Sequence, residues 1–287
     1  MIIDFRVRPP HAGFLSTAIF NPRDPNPDPV TARALQMNVP PYRSFNEHSM
    51  EAFIEEMDAA GIDLAVVMGR QSAPQFGSVR NEDIVDLLAH HPKRFVAFGG
   101  VDGSDLAGAL AEIDRIIAWG FKGISLDNGW CDPPLYDDDS ALFPIYERCA
   151  EAGLIVSITS SIYVGPDLTY SDPVHIQRVA KRFPKLKIVV AHAAWPHTTT
   201  MCAIAMQCSN IYLVPDFYGH IPNMPGAEQY VRAANYYLSH RLLYASSYPV
   251  RPLGQSLEQF RALPFDSDEI RMRCLGTNAA RLLGLPA

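Results

Sequence analysis

Residues 50–68 read MEAFIEEMDAAGIDLAVVM. Phe53, Ile54 and Met57 recur at helical spacing, and Gly61 follows as a helix stop. The run 62–68 then has the continuously apolar, Val-rich composition of a strand buried on both faces. Helix, glycine, buried strand is the order that a parallel sheet with crossover helices requires. The device returns at Trp119-Gly120-Phe121 and Ala152-Gly153-Leu154, and with proline in Phe183-Pro184-Lys185.

Working outward, strand-like apolar runs fall at 2–7, 62–68, 95–101, 121–126, 154–159, 186–191, 210–214 and 241–246. Between them, helix-like stretches occupy 50–60, 84–89, 106–119, 141–152, 173–183, 230–238 and 257–263, and the tail 266–287 reads as two short helices. This alternation predicts an α/β fold, a single (β/α)8 TIM barrel spanning 1–287 as one domain, since such barrels commonly fill about 250 residues. An open doubly wound sheet is the alternative, and no glycine-rich phosphate loop after the first strand supports it. Between Arg8 and Phe45 the rhythm breaks in a segment with eight prolines. This long Pro-rich loop after strand 1 leaves the face where barrel active sites lie, so the segment 10–42 is expected to form an ordered lid over the mouth. A second long loop covers 128–139.

The net charge is −7, with acids and bases mixed along the chain, so no basic stripe exists to neutralise nucleic-acid phosphates. No apolar run reaches the length of a membrane span. The strand-like opening Ile2-Ile3-Asp4-Phe5 leads to the expectation of no secretory signal, and the five scattered cysteines form no Cys-x-x-Cys pair. A reduced, cytoplasmic protein is expected, with neither nucleic acid nor membrane as partner; a homo-oligomer is compatible with these features.

Five motifs in order resemble a known family. Met1-Ile2-Ile3-Asp4 resembles the first strand of the amidohydrolase-2 family, and Gly120-Phe121-Lys122-Gly123-Ile124 its fourth. Ile188-Val189-Val190-Ala191-His192-Ala193 is similar to its sixth, and Leu242-Leu243-Tyr244-Ala245-Ser246-Ser247-Tyr248-Pro249 to its eighth. Asn278-Ala279-Ala280-Arg281-Leu282-Leu283 resembles its C-terminal ending. The family holds metal-dependent hydrolases and decarboxylases, relatives of aminocarboxymuconate-semialdehyde decarboxylase among them. The resemblance implies a His-x-His pair at the end of strand 1, where this chain has Arg6 and Arg8. It implies a histidine at Thr159 and an aspartate at Ser247; His192 alone keeps the family's residue. Zinc needs about three protein ligands, and a fixed guanidinium charge repels a divalent cation. The sequence therefore implies no metal cofactor, with zinc held by relocated ligands from His192, Asp127, Asp216 and His220 as the minor alternative.

Strict strand alternation would put Asp4, Arg6 and Arg8 on one face, pointing into the barrel. Asp4 could then pair with one arginine and leave the other for a bidentate substrate carboxylate, or the three could form a closed network that merely fills the barrel. His192 is the candidate proton-transfer residue, with Asp127 and Asp216 as candidate catalytic acids or partners, each also readable as turn residues. Thr159 and Ser247 are candidate hydroxyl donors, Arg70 a further anion contact, and His220 and Tyr248 candidate pocket residues. Trp130, Trp195, Tyr163 and Phe217 are aromatic wall candidates, each equally at home in a core. On family grounds the expected activity is metal-independent hydrolysis of an ester, lactone or amide in a small carboxylated, cyclic or aromatic compound. The alternatives are a decarboxylase or other C–C or C–O lyase, and a non-catalytic anion-binding barrel.

Overall fold

The computed structural model of the chain describes residues 1–20 and 39–286. Seven parallel strands run in sequence order, from β1 (Ile3–Val7) and β2 (Leu64–Met68) through β3 (Phe95–Val101), β4 (Gly123–Leu126), β5 (Ile155–Thr159), β6 (Lys187–Ala191) and β7 (Ile211–Val214). The eighth segment is not a regular strand. Residues 242–248 close the ring by single parallel bridges, Leu213 to Leu242 on one side and Val7 to Tyr248 on the other. Backbone bonds from Phe5 N to Tyr244 O and from Leu243 N to Leu213 O, 3.0 and 2.9 Å, complete the closure. The architecture is thus the TIM barrel that the alternation predicts.

Side chains alternate between two clusters. Val66, Met68, Phe98, Ile155, Val189 and Leu243 fill the barrel interior, which the helix Asn278–Leu283 plugs at its N-terminal end with Ala279, Leu282 and Leu283. Their neighbours Val67, Ala97, Ile124, Val156, Val190 and Leu242 face outward against the helices. The helix Thr198–Gln207 has no counterpart among the helices expected from sequence. Its TTTMCAIAMQ carries no clear polar stripe, because it is buried over much of its circumference, and periodicity therefore gives no signal.

Strand β1 breaks the period-2 rule. Its pairing with β2 shifts register between Asp4 and Val7. Ile3 and Phe5 lie in the interior cluster while Val7 lies in the outer one. A bulge inserts one residue here, so parity reverses and Arg6 and Arg8 turn inward. Asp4 does not: its Oδ1 accepts the backbone N–H of Arg6 at 3.2 Å and of Ser246 at 3.0 Å. The expected Asp4–Arg pair is therefore absent among the described ion pairs, and Asp4 pins the bulge to the eighth segment instead.

The lid expected over 10–42 falls mainly on residues 21–38, which lie outside the described residues. At its described ends, Phe20 stacks on Phe45 with centroids 5.5 Å apart, and the Tyr42 hydroxyl donates to the Pro249 carbonyl. Tyr248 belongs with them. It packs on Phe53 at 4.6 Å and donates to Ser44 Oγ at 2.9 Å, on the outer side of the barrel. All five cysteines are buried and free of disulfides. Among the described residues no helix is long and apolar enough to cross a membrane.

Burial pushes the Asp4 carboxyl up to about 6. A folded-state pKa above that of the unfolded chain means the protonated form folds better, so this contribution is complete near pH 3.8 and lost as pH rises through 6. Asp4→Asn keeps an oxygen acceptor for both N–H groups without the buried charge. Urea unfolding should show the variant more stable at pH 8, by on the order of 1–2 kcal/mol, with the difference gone near pH 4.

Candidate functional site

Arg6, Arg8, Thr159, His192 and Ser247 stand at the C-terminal ends of β1, β5 and β6 and in the eighth segment. The barrel brings them into one polar cluster with Arg70, Asp127 and Asp216 from the ends of β2, β4 and β7. Arg8 Nη2 and Arg70 Nε reach the same oxygen of Asp127, at 3.4 and 3.2 Å. Arg8 Nε also donates to the Met68 carbonyl at 3.3 Å. Thr159, at the end of β5, also favours the charged form of Asp127. Burial alone would raise the Asp127 carboxyl, but Arg70, Arg8 and Thr159 outweigh it and hold the group at about 2. Asp127 is ionised at any working pH.

The other half of the cluster is built on Asp216. His192 Nδ1 lies 2.8 Å from its Oδ2 and 3.0 Å from its Oδ1. Arg6 Nη1 is 3.9 Å from Oδ2, too long for a hydrogen bond, and donates to Ser247 Oγ at 2.8 Å. The imidazole sits edge-on to Phe217 and to Tyr218, whose ring stacks on Trp195 at 4.8 Å. Burial, assisted by Arg6 and Arg8, lowers the His192 pKa against the pull of Asp216, so the ring is neutral near pH 7. A neutral ring that donates Nδ1–H to Asp216 leaves Nε2 as its basic atom.

Three guanidiniums thus face two carboxylates, and one positive charge is left over. Arg8 registers the imbalance: burial, then Arg70 and Arg6, depress its pKa well below normal despite Asp127 and Asp216. Exposure sorts the same way. Arg6, Arg8 and Arg70 each keep 5% and His192 6%, whereas Asp127 and Asp216 keep 1% and 2%. The acids are sealed behind the bases.

The backbone around the site is strained. Of eight non-glycine residues with positive φ among those described, five are His192, Ala193, Ala194, Asp216 and Ser247. Such residues cost of order 1–3 kcal/mol each and persist where surrounding packing over-determines them. On the opposite rim, Trp130 lies between the Arg70 guanidinium, 4.3 Å from its ring centroid, and Phe76, at 5.4 Å.

Not every candidate joins the cluster. Asp4 caps the bulge and Tyr248 packs outside the barrel, as described above. His220 turns away, its ring near Tyr244 and Phe260, each 6.2 Å off, with no contact to either arginine. Tyr163 is 43% exposed and takes part through its carbonyl, which accepts from the Trp130 indole at 2.5 Å. Tyr218 is not among the candidates from sequence; the signal available is its place two residues after Asp216. Among the described residues no three of His, Cys, Asp and Glu converge to hold a metal ion. Of the four relocated-ligand candidates, Asp127 is shared by Arg8 and Arg70, His192 and Asp216 engage each other, and His220 packs near Tyr244 and Phe260. The donor set does not fit a divalent cation.

The fold and cluster define a TIM barrel with a cationic site at the mouth end of its strands. The chain belongs to the amidohydrolase family, whose model matches residues 4–285. Among solved structures it is similar to an uncharacterised TIM-barrel protein of Bordetella bronchiseptica, with 35% identity, a TM-score of 0.92, and 99% of this chain and 98% of that one covered. It is also similar to the manganese-bound 5-carboxyvanillate decarboxylase of Novosphingobium aromaticivorans, with 18% identity, a TM-score of 0.69, and 99% and 97% covered. Among curated proteins it is 23% identical over 276 residues to the 2-amino-3-carboxymuconate-6-semialdehyde decarboxylase of Dictyostelium discoideum, covering 81% of this chain and 76% of that protein.

The two halves should respond differently to mutation. Asp127→Asn strands two buried guanidiniums and should cost about 3–5 kcal/mol in urea unfolding. Arg6→Met removes a cation without a carboxylate of its own and should cost about 1 kcal/mol or less.

Proposed function

We infer that this protein is a metal-independent carboxy-lyase, releasing CO2 from a small cyclic or aromatic carboxylate. The observation that carries the reading is the unbalanced charge: Arg8 and Arg70 share Asp127, while Arg6 has only the Ser247 hydroxyl and a carboxylate 3.9 Å away that His192 already engages. A single substrate carboxylate supplies the missing charge, and the flat guanidinium fork suits it. Trp130, Trp195 and Tyr218 around the cluster favour a planar body.

Hydrolysis, the first expectation from sequence, needs a group that turns water into hydroxide near neutral pH, which a bound metal supplies in such barrels. Arginines stand at those positions. Decarboxylation needs no hydroxide. The Dictyostelium and Novosphingobium proteins named above are decarboxylases, which favours the same choice. In the reaction, the bond between the ring carbon and the carboxylate carbon breaks, its electron pair stays with the ring system, and CO2 departs. A guanidinium beside the developing negative charge lowers the barrier. The carbon then takes a proton, and His192 Nε2 is the atom placed to deliver it after drawing one from solvent or from a substrate hydroxyl. Asp216 holds the ring's tautomer and steadies the transient imidazolium.

The test is a panel of cyclic and aromatic carboxylates, read by thermal shift and by CO2 release. At least one acid should raise the melting temperature of the wild type and not of Arg6→Met. His192→Asn should keep the shift and lose about 100-fold or more in turnover. Ring-opening of a lactone without CO2 would restore the hydrolase reading, and binding without turnover of any acid would leave an anion-binding barrel. Chelator treatment should leave activity unchanged; one manganese or zinc per chain, lost together with activity, would overturn the metal-free mechanism.

A further inference from the structure

His220 is 3% exposed, and neither ring nitrogen has a hydrogen-bond partner. Burying an imidazole unsatisfied is costly, and native proteins rarely leave such a group without a partner or an ordered water. The ring borders a small cavity of about 10 Å3 whose lining also includes Asp216, with Tyr230, Leu242, Phe260 and Leu263 as apolar wall. That volume is room for one water molecule and for nothing larger. Asp216 Oδ2, buried and facing His192, accepts no hydrogen bond of good geometry. The Tyr230 hydroxyl is already committed to the Ala193 carbonyl at 3.0 Å. His220 and Asp216 are therefore the two polar side chains at this cavity that still have bonding capacity.

Both belong to one turn. Asp216 has φ 44° and ψ −134°, a conformation foreign to L-residues, and the Gly219 N–H bonds its carbonyl at 3.0 Å. Tyr218, against the His192 ring, rides on the same turn. Burial of His220 against Phe260 of the helix Leu253–Arg261 anchors that turn from behind. Burial and the Arg251 charge hold the ring neutral, at about 3, so it offers one N–H donor at physiological pH.

We propose that His220 is a positioning residue for the site: through one water molecule held in this cavity it fixes Asp216, and through Asp216 the His192 ring. The His220 N–H donates to the water, and the water donates to the Asp216 carboxylate. This arrangement gives the strained Asp216 turn a polar anchor that apolar packing alone does not provide. The inference rests on His192 and Asp216 as the working pair, and its test reads no turnover, so the two readings can fail separately.

The test combines a high-resolution crystal structure with NMR of histidine-labelled protein. The wild type should show a single density peak in the cavity within hydrogen-bond distance of His220. The far-downfield N–H proton that marks an imidazole bonded to a carboxylate should be visible for His192, persist in His220→Gln, and disappear or broaden in His220→Leu. An amide rescues the water contact; an isobutyl group fills the space without it. An empty cavity in the wild type, or an unchanged His192 resonance in a folded His220→Leu, overturns the proposal. Should His220→Leu fail to fold, the cavity density in wild type and His220→Gln decides: a peak against the introduced side-chain amide supports the water bridge, and its absence overturns it.

Discussion

Two guanidiniums converge on one oxygen of Asp127, and that contact ties the ends of β1, β2 and β4 across the barrel. Three buried arginines cannot be tolerated without a counter-charge, since an uncompensated ion in a low-dielectric interior is among the largest penalties a fold can carry. Asp127 satisfies two of them and stays ionised because of them. With that balance in place, Arg6 becomes the cation left over, and the rest of the site follows from where its partner is missing.

The two sides of the mouth are held by different physics. On the side of β1, β2, β4 and β5, charge fixes geometry: the ion pairs to Asp127 and the stack of Arg70 on Trp130. On the side of β6, β7 and the eighth segment, backbone conformation does it, through left-handed residues at His192, Ala193, Ala194, Asp216 and Ser247. The division places the arginine cluster opposite the His192–Asp216 pair, whose carriers sit on strained turns. A site must hold its substrate and also let a proton move, and the two demands are met by separate elements.

Much of the barrel can be read from the chain, because buried parallel strands announce themselves as apolar runs and the glycine stops mark where helices end. The candidate residues Arg6, Arg8, Thr159 and His192 can be placed the same way, since each sits at a strand end where barrel geometry leaves little freedom. What sequence misses, it misses for local reasons. Strict alternation puts Asp4 on the wrong face because a single-residue bulge reverses parity, and nothing in IDFRV marks it. His220 and Tyr248 follow their strands by a few residues, where turn geometry rather than the period of two aims the side chain. The eighth strand reads as regular over 241–246, yet it pairs through isolated bridges, and the Tyr244 N–H bonds the Cys274 carbonyl rather than a neighbouring strand.

The sealed acids and slightly open bases also govern how a ligand arrives. The molecule carries a net charge of −7, so an anion at a distance meets a repulsive field. Only within about a Debye length, roughly 8 Å at physiological salt, does the local excess at Arg6 dominate. Added salt screens the long-range repulsion first and the short, desolvated contact much less. Capture should therefore become faster with rising ionic strength while residence time changes little, the reverse of enzymes whose surface field draws their substrates in. On the proposed reading, multiply charged acids would be slowed more than singly charged ones, a kinetic filter that acts before any side chain touches the ligand.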